Sequence, residues 1–228
     1  MTVFGDLKKK HGIRSVRSPT SGMRCRKVNN WSGMQRFFLH WESNQRHAWP
    51  TQDWYTGIGL HYSSKCPITP LSKQICGNDG RKDYQDTMAY DSEVFPGLLS
   101  GFGMFPMVRC KITCMSGSSL TAQLNGHQSW HRDETPFEAL RVVIPLASDM
   151  TYQFQLDNEC PVSLIPGHAY AFDQSRYHRV FSNGSSNLDR LHLVLSFVTW
   201  FDRINGDWKP NAFCGKIHPL ELFDEVVL

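Results

Sequence analysis

Apolar and polar positions alternate with a period of two through most of the second half of the chain, and only locally in the first half. From Met107 onward, strand-length segments rich in β-branched and aromatic residues follow one another at short intervals, at 107–115, 139–146, 151–156, 161–165, 168–172, 177–181 and 190–199. Pro166-Gly167 and the run Asn183-Gly184-Ser185-Ser186-Asn187 supply the turns between the later ones. In the last segment, alternation puts Arg190, His192, Val194 and Ser196 on one face and Leu191, Leu193, Leu195 and Phe197 on the other, which marks the polar set as a cavity wall. In the first half, 54–62 alternates like a further strand, and 91–102 reads as a short helix. Between them, 63–86 carries Pro67, Pro70, Gly77, Asn78, Asp79 and Gly80 and reads as a long loop of the kind that lines or covers a site. Many short, closely spaced strands argue for an antiparallel sandwich or jelly roll, with helices confined to the first half and packed on one face.

Composition narrows this picture without redirecting it. A chain of 228 residues, 40% hydrophobic, can bury one full core, so a single domain is expected. The net charge of +3 is too small to argue for nucleic acid, but it is unevenly spread. Lys8, Lys9, Lys10, Arg14, Arg17, Arg24, Arg26 and Lys27 face Asp6 alone, so residues 1–30 are expected to form a basic, flexible, solvated arm. Residues 31–228 then form the domain, with a jelly-roll core over about 107–200. The cysteines (Cys25, Cys66, Cys76, Cys110, Cys114, Cys160, Cys214) are odd in number and show no CxxC spacing, so free thiols in a reducing, cytoplasmic setting are expected. The chain shows no apolar leader, and its longest apolar-rich stretch, 191–201, is too short to span a bilayer, so no membrane is expected as a partner.

Chemistry concentrates in Trp130-His131-Arg132-Asp133-Glu134, in Tyr177-His178-Arg179, and in Arg190. In an extended chain, side chains two apart point the same way, so His131 and Asp133 can converge on one point. A second imidazole from the distant His178 completes two histidines and one carboxylate, a set that holds a metal on one face and leaves the other face open. A buried arginine on the last strand can grip a carboxylate through two parallel hydrogen bonds. By itself an HxD is a weak signal, and the order of all four residues is what strengthens it.

The stretches HRDETPFEALRVVIPL (131–146), IPGHAYAFDQSRYHRV (165–180) and DRLHLVLSF (189–197) resemble the aspartyl/asparaginyl β-hydroxylase family and the related proline hydroxylases, within the 2-oxoglutarate oxygenases. The resemblance covers about the last 120 residues. It implies a double-stranded β-helix of the jelly-roll, cupin-like kind, mainly β with flanking helices. It also implies iron(II) held by His131, Asp133 and His178, with 2-oxoglutarate as co-substrate and O2 as oxidant. Arg190 is then the anchor for the far carboxylate of the co-substrate, with Arg141 and His192 as further candidate contacts. The expected outcome is hydroxylation of an unactivated C–H bond in an amino acid, a small natural product or a peptidyl side chain, with release of succinate and carbon dioxide. Because Asp133 fills the carboxylate position, halogenation is disfavoured, while desaturation and cyclisation stay open. Val143 stands where many members have a histidine, and the interval from His178 to Arg190 is longer than expected.

Competing readings attach to the same residues. His127-x-x-x-His131 has the spacing of a helical zinc pair, but Gly126, the missing apolar stripe and the missing glutamate argue against a zinc hydrolase. Arg141 has two options, a ligand carboxylate or an acidic neighbour, and His192 is either near the co-substrate or a hydrogen-bonded core residue. Trp49, Trp54, Tyr62 and Trp130 read as core aromatics rather than pocket wall. At the level of function, the alternatives are a non-catalytic jelly-roll binding or sensor module and a cupin metalloenzyme that does not use 2-oxoglutarate.

Overall fold

The computed structural model describes residues 9, 10, 12, 13, 16, 17, 19, 21–28, 31, 32, 35, 36, 55–62, 105–115, 130–148, 150–182, 190–205 and 207–226. Its strands are β1 (Met23–Lys27), β2 (Tyr55–Tyr62), β3 (Met107–Met115), β4 (Leu140–Ala147), β5 (Tyr152–Leu156), β6 (Val162–Ser163), β7 (His168–Phe172), β8 (His178–Ser182), β9 (Arg190–Phe197), β10 (Phe201–Ile204) and β11 (Asp207–Pro210). The strands expected from alternation between 107 and 197 are all present, with ends moved by a residue or two except at 161–165, which shortens to β6. The loop at 63–86, the helix at 91–102 and the turn at 183–187 lie outside the described residues.

The strands form a larger antiparallel sheet in the order β1-β7-β4-β9-β3-β2 and a smaller one in the order β6-β5-β8. From β4 to β9 the chain crosses repeatedly between the sheets, β4, β7 and β9 in the larger one alternating with the β5–β6 pair and β8 in the smaller. That winding makes the fold a double-stranded β-helix, as expected. Two apolar clusters follow from it. Val143, Tyr170, Phe172 and Val194 of the larger sheet meet Tyr152, Phe154, Leu156 and Val180 of the smaller one and fill the space between the sheets. On the outer face of the larger sheet, Leu140, Val142, Ile144, Leu191, Leu193, Leu195 and Phe197 pack with Trp200, Leu220, Leu222 and Phe223. Strand β9 is therefore buried along its whole length, with Val194 in one cluster and its odd-numbered neighbours in the other. Pro145 brings no N–H to the central ladder, and it sits where the register between β4 and β9 shifts.

Three features depart from the sequence reading. Residues 23–27, which their charge assigns to the arm, form β1 and pair with β7 from Met23↔Phe172 to Lys27↔His168. Edge strands tolerate exposed cations, so a basic run and a strand are compatible here. The hairpin β10–β11 extends beyond the expected core; its signal is Asn205-Gly206, the dipeptide that suits a two-residue hairpin turn, and Asn205 takes a φ of 53°. Helix was expected only in the first half, yet the chain closes with a 3-10 turn (Pro219–Leu222) running into a helical turn (Phe223–Val226). Proline at the start and a side-chain cap stabilise that turn, and its apolar residues seal the outer core. Cys25, Cys110, Cys160 and Cys214 are free thiols. Among the described residues no helix is long and apolar enough to cross a membrane.

The C-terminal turn depends on His218, which is wholly buried. Its Nδ1 accepts from the backbone N–H of Leu220 at 3.2 Å, while Glu221 accepts from the backbone N–H of His218 at 3.3 Å. Burial, with Arg24, pushes the imidazole below its ordinary value against the opposite pull of Asp173 and Glu221. Protonation in the folded state is thus disfavoured relative to the unfolded chain. The contribution of His218 is complete above a pH of about 6.5 and is lost as pH falls below it. The urea midpoint should drop between pH 7.5 and 5.5 by more in the native protein than in His218→Asn, which keeps a capping acceptor but does not titrate. In the outer core, Leu193→Ala should cost about 2–5 kcal/mol in a denaturant titration, since Leu193 is fully buried on the central strand.

Candidate metal centre

His178 opens β8 on the smaller sheet, and His131 reaches it through a single antiparallel bridge. The backbone N–H of His131 donates to the carbonyl of His178 at 3.0 Å, and the N–H of His178 donates back to the carbonyl of His131 at 2.9 Å. Two residues on, the N–H of Asp133 donates to the carbonyl of Gln174 at 2.8 Å, which pins the second ligand position to the loop before β8. Between them Arg132 turns outward and lies 4.0 Å above the Tyr177 ring. The alternation expected for the HxD segment is realised. One possible donor atom from each of His131, Asp133 and His178 lies within 4.8 Å of the others, and Asp133 Oδ2 is 3.7 Å from His178 Nε2.

The electronic state of these groups suits a cation. The Nδ1 of His178 sits 3.1 Å from the carbonyl of Arg176, and a carbonyl only accepts, so Nδ1 carries the proton and the lone pair of Nε2 faces Asp133. Burial alone would raise Asp133, but the Arg141 guanidinium beside it holds its carboxyl well below the usual carboxylate range. Two imidazoles and one ionised carboxylate, close enough to share an ion, fit iron(II). Phe154 and Phe172, with ring centroids 3.9 Å apart, back the His178 ring at 5.7 and 6.2 Å and keep it in place.

The three arginine and histidine candidates separate into two places. Arg141 takes the second of its two options. Its NH1 donates to Asp133 Oδ2 at 2.5 Å and its NH2 to Glu134 Oε2 at 2.6 Å. Arg190 and His192 lie at the other end of the inner face of β9, as their alternation with Val194 requires. Arg141 pairs with Ser196, and Arg190 lies six residues along from Ser196. At about 3.3 Å per residue, roughly 20 Å of strand separates the two arginine levels. The Nε of Arg190 donates to His192 Nε2 at 2.8 Å, and burial with the neighbouring guanidinium keeps His192 neutral, well below its ordinary value. His192 is thus a hydrogen-bonded interior histidine adjoining Arg190.

Other expectations resolve differently. Val143 joins the apolar cluster between the sheets, so that position contributes packing and no hydrogen bond. Trp130 is not core: it is 42% exposed, with the Arg179 guanidinium 4.6 Å from its ring centroid. His127, Trp49 and Trp54 lie outside the described residues, as does the side chain of Tyr62. Sequence reasoning missed Glu134, although an acid beside a ligand carboxylate and an arginine seven residues on were both visible. It also missed the carbonyls of Gln174 and Arg176, which no residue type announces.

No protein-family model matches the chain, and neither does any curated protein. Solved structures do match. A prolyl hydroxylase from Trichoplax adhaerens, in complex with a hypoxia inducible factor oxygen degradation domain peptide fragment, is 12% identical over 78% of this chain and 84% of its own, with a TM-score of 0.46. A prolyl-4-hydroxylase from Pseudomonas putida is 11% identical over 86% and 98%, with a TM-score of 0.45. An oxidoreductase of the 2OG-Fe(II) oxygenase family from Burkholderia pseudomallei is 14% identical over 85% and 89%, with a TM-score of 0.43. At such identities the likeness concerns fold only, and the strand order above stands without it.

The tautomer of His178 is directly measurable. Long-range proton–nitrogen correlation spectra should show a proton on Nδ1 of His178; a bare Nδ1 would remove the bond to the Arg176 carbonyl and overturn the assigned orientation of the ring.

Proposed function

We propose that this chain is an iron(II)- and 2-oxoglutarate-dependent dioxygenase that hydroxylates an unactivated C–H bond of an amino acid, a small natural product or a peptidyl side chain. The observation that carries this reading is the convergence of His131, Asp133 and His178 at one end of a double-stranded β-helix whose inner face holds a buried arginine at the other. His131, Asp133 and His178 hold the metal. Iron(II) with 2-oxoglutarate supplies the activation of O2, releasing succinate and carbon dioxide as the substrate is hydroxylated.

The residues of the chain bind, orient and exclude. Arg190 is the anchor for the far carboxylate of the co-substrate, for which a guanidinium offers two parallel N–H donors. Its burial on the inner face of β9, the strand that pairs with the Arg141 strand, supports that role. His192, neutral and buried beside it, orients the guanidinium and gives that end of the cavity a polar partner without adding charge. Phe154, Phe172 and Val194 line the apolar interior and keep water from the reacting centre. Arg141 acts on the metal end through Asp133 and Glu134. A basic arm confined to residues before Ile13, which with Val16 packs on the outer core, and a cytoplasmic location complete the reading.

The test is turnover of 2-oxoglutarate. Succinate should form only when iron(II) and O2 are both present, should fall at least a hundredfold in Asp133→Ala, and should show a KM for 2-oxoglutarate raised tenfold or more in Arg190→Ala. Activity indifferent to Arg190 would favour a metalloenzyme of the same fold that does not use 2-oxoglutarate. A product heavier by one oxygen, found by mass spectrometry across amino acids and peptides, would identify the substrate class.

A further inference from the structure

Glu134 is not one of the three converging donors, yet it is the more deeply buried of the two carboxylates on Arg141, with its side chain 4% exposed against 29% for Asp133. The oxygen of Asp133 that receives Arg141 NH1 is Oδ2, and the same Oδ2 faces His178 Nε2 at 3.7 Å. A divalent cation held by this group and the Arg141 guanidinium therefore draw on one oxygen. Cations so close, in a half-buried site with little water to screen them, repel strongly. Asp133, Arg141 and a divalent ion together carry two net positive charges, and Glu134 removes one of them while holding Arg141 by its other nitrogen.

On this geometry we propose that Glu134 is a positioning residue that lets Asp133 serve an arginine and a metal ion at once. By anchoring Arg141 at NH2, it fixes the guanidinium beside the carboxylate, and its charge offsets the repulsion that metal binding creates. Loss of such a group beyond the ligands themselves weakens metal binding by about 10–100-fold. The inference rests on the reading of His131, Asp133 and His178 as metal ligands.

Manganese(II), an air-stable stand-in for iron(II), provides the test, with free ion counted by electron paramagnetic resonance and folding checked by thermal melting. The native protein should bind one ion. Glu134→Gln, which keeps the shape and removes the charge, should bind it about 10–100-fold more weakly. Glu134→Gln combined with Arg141→Met should recover affinity to within about threefold of the native value, because the charge that Glu134 offsets is gone; a role in packing alone would leave the double variant no better than the single one. Equal affinity in native protein and Glu134→Gln, or a double variant weaker than native by tenfold or more, would overturn the proposal while leaving the metal centre in place. No uptake by the native protein would sink the metal centre and this inference together. Where Glu134→Gln does not stay folded, the double variant, which removes the Arg141–Glu134 pair as a whole, decides by the same threshold.

Discussion

The site depends on one antiparallel bridge. A pair of backbone hydrogen bonds between His131 and His178 joins two segments that are 47 residues apart in the chain. Every other feature of the metal end follows from it. The bridge sets His131 opposite His178; the alternation of an extended chain then carries Arg132 outward and Asp133 back in, and the bond from Asp133 to Gln174 locks that phase. A slip of one residue would turn both the imidazole of His131 and the carboxylate of Asp133 to the outside. The register is defended by the core between the sheets, where Val180 of the His178 strand packs with Phe154 and Phe172.

Charge is arranged around this bridge in a layered way. Asp133 stays ionised in spite of its burial because Arg141 favours the charged form. Arg141 in turn reaches across from β4, where it shares the inner face with Val143, and is satisfied by two acids from the HxD segment itself. The opposite end of the inner face holds the second arginine, Arg190, whose companion His192 is neutral. Two arginines on one lining, one already matched by carboxylates and one beside a neutral ring, are different electrostatic objects although both are buried.

Strand β9 shows why so short a strand does so much. Its apolar side closes the outer core with the C-terminal turn, and its other side buries Arg190, His192 and Ser196 beside Val194. Because it lies between β4 and β3 in the larger sheet, it is paired on both edges and covered on both faces, so its side chains have little room to move. A central strand held in this way fixes the backbone from which Arg190 and His192 project.

Much of this was determined by sequence. Alternation is a local property, and it marked the strands from 107 to 197, divided β9 into its two faces, and aligned His131 with Asp133. What lay outside its reach involved partners distant in the chain. The basic residues 23–27 look like a solvated arm until β7 offers them an edge, and Arg141 is an open choice until folding brings Asp133 and Glu134 within 2.6 Å of it. The tautomer of His178 depends on a backbone carbonyl, which every residue possesses and none advertises. Period and residue type are written along the chain, whereas the pairing of charges and the direction of a lone pair are properties of neighbours that only the closed β-helix brings together.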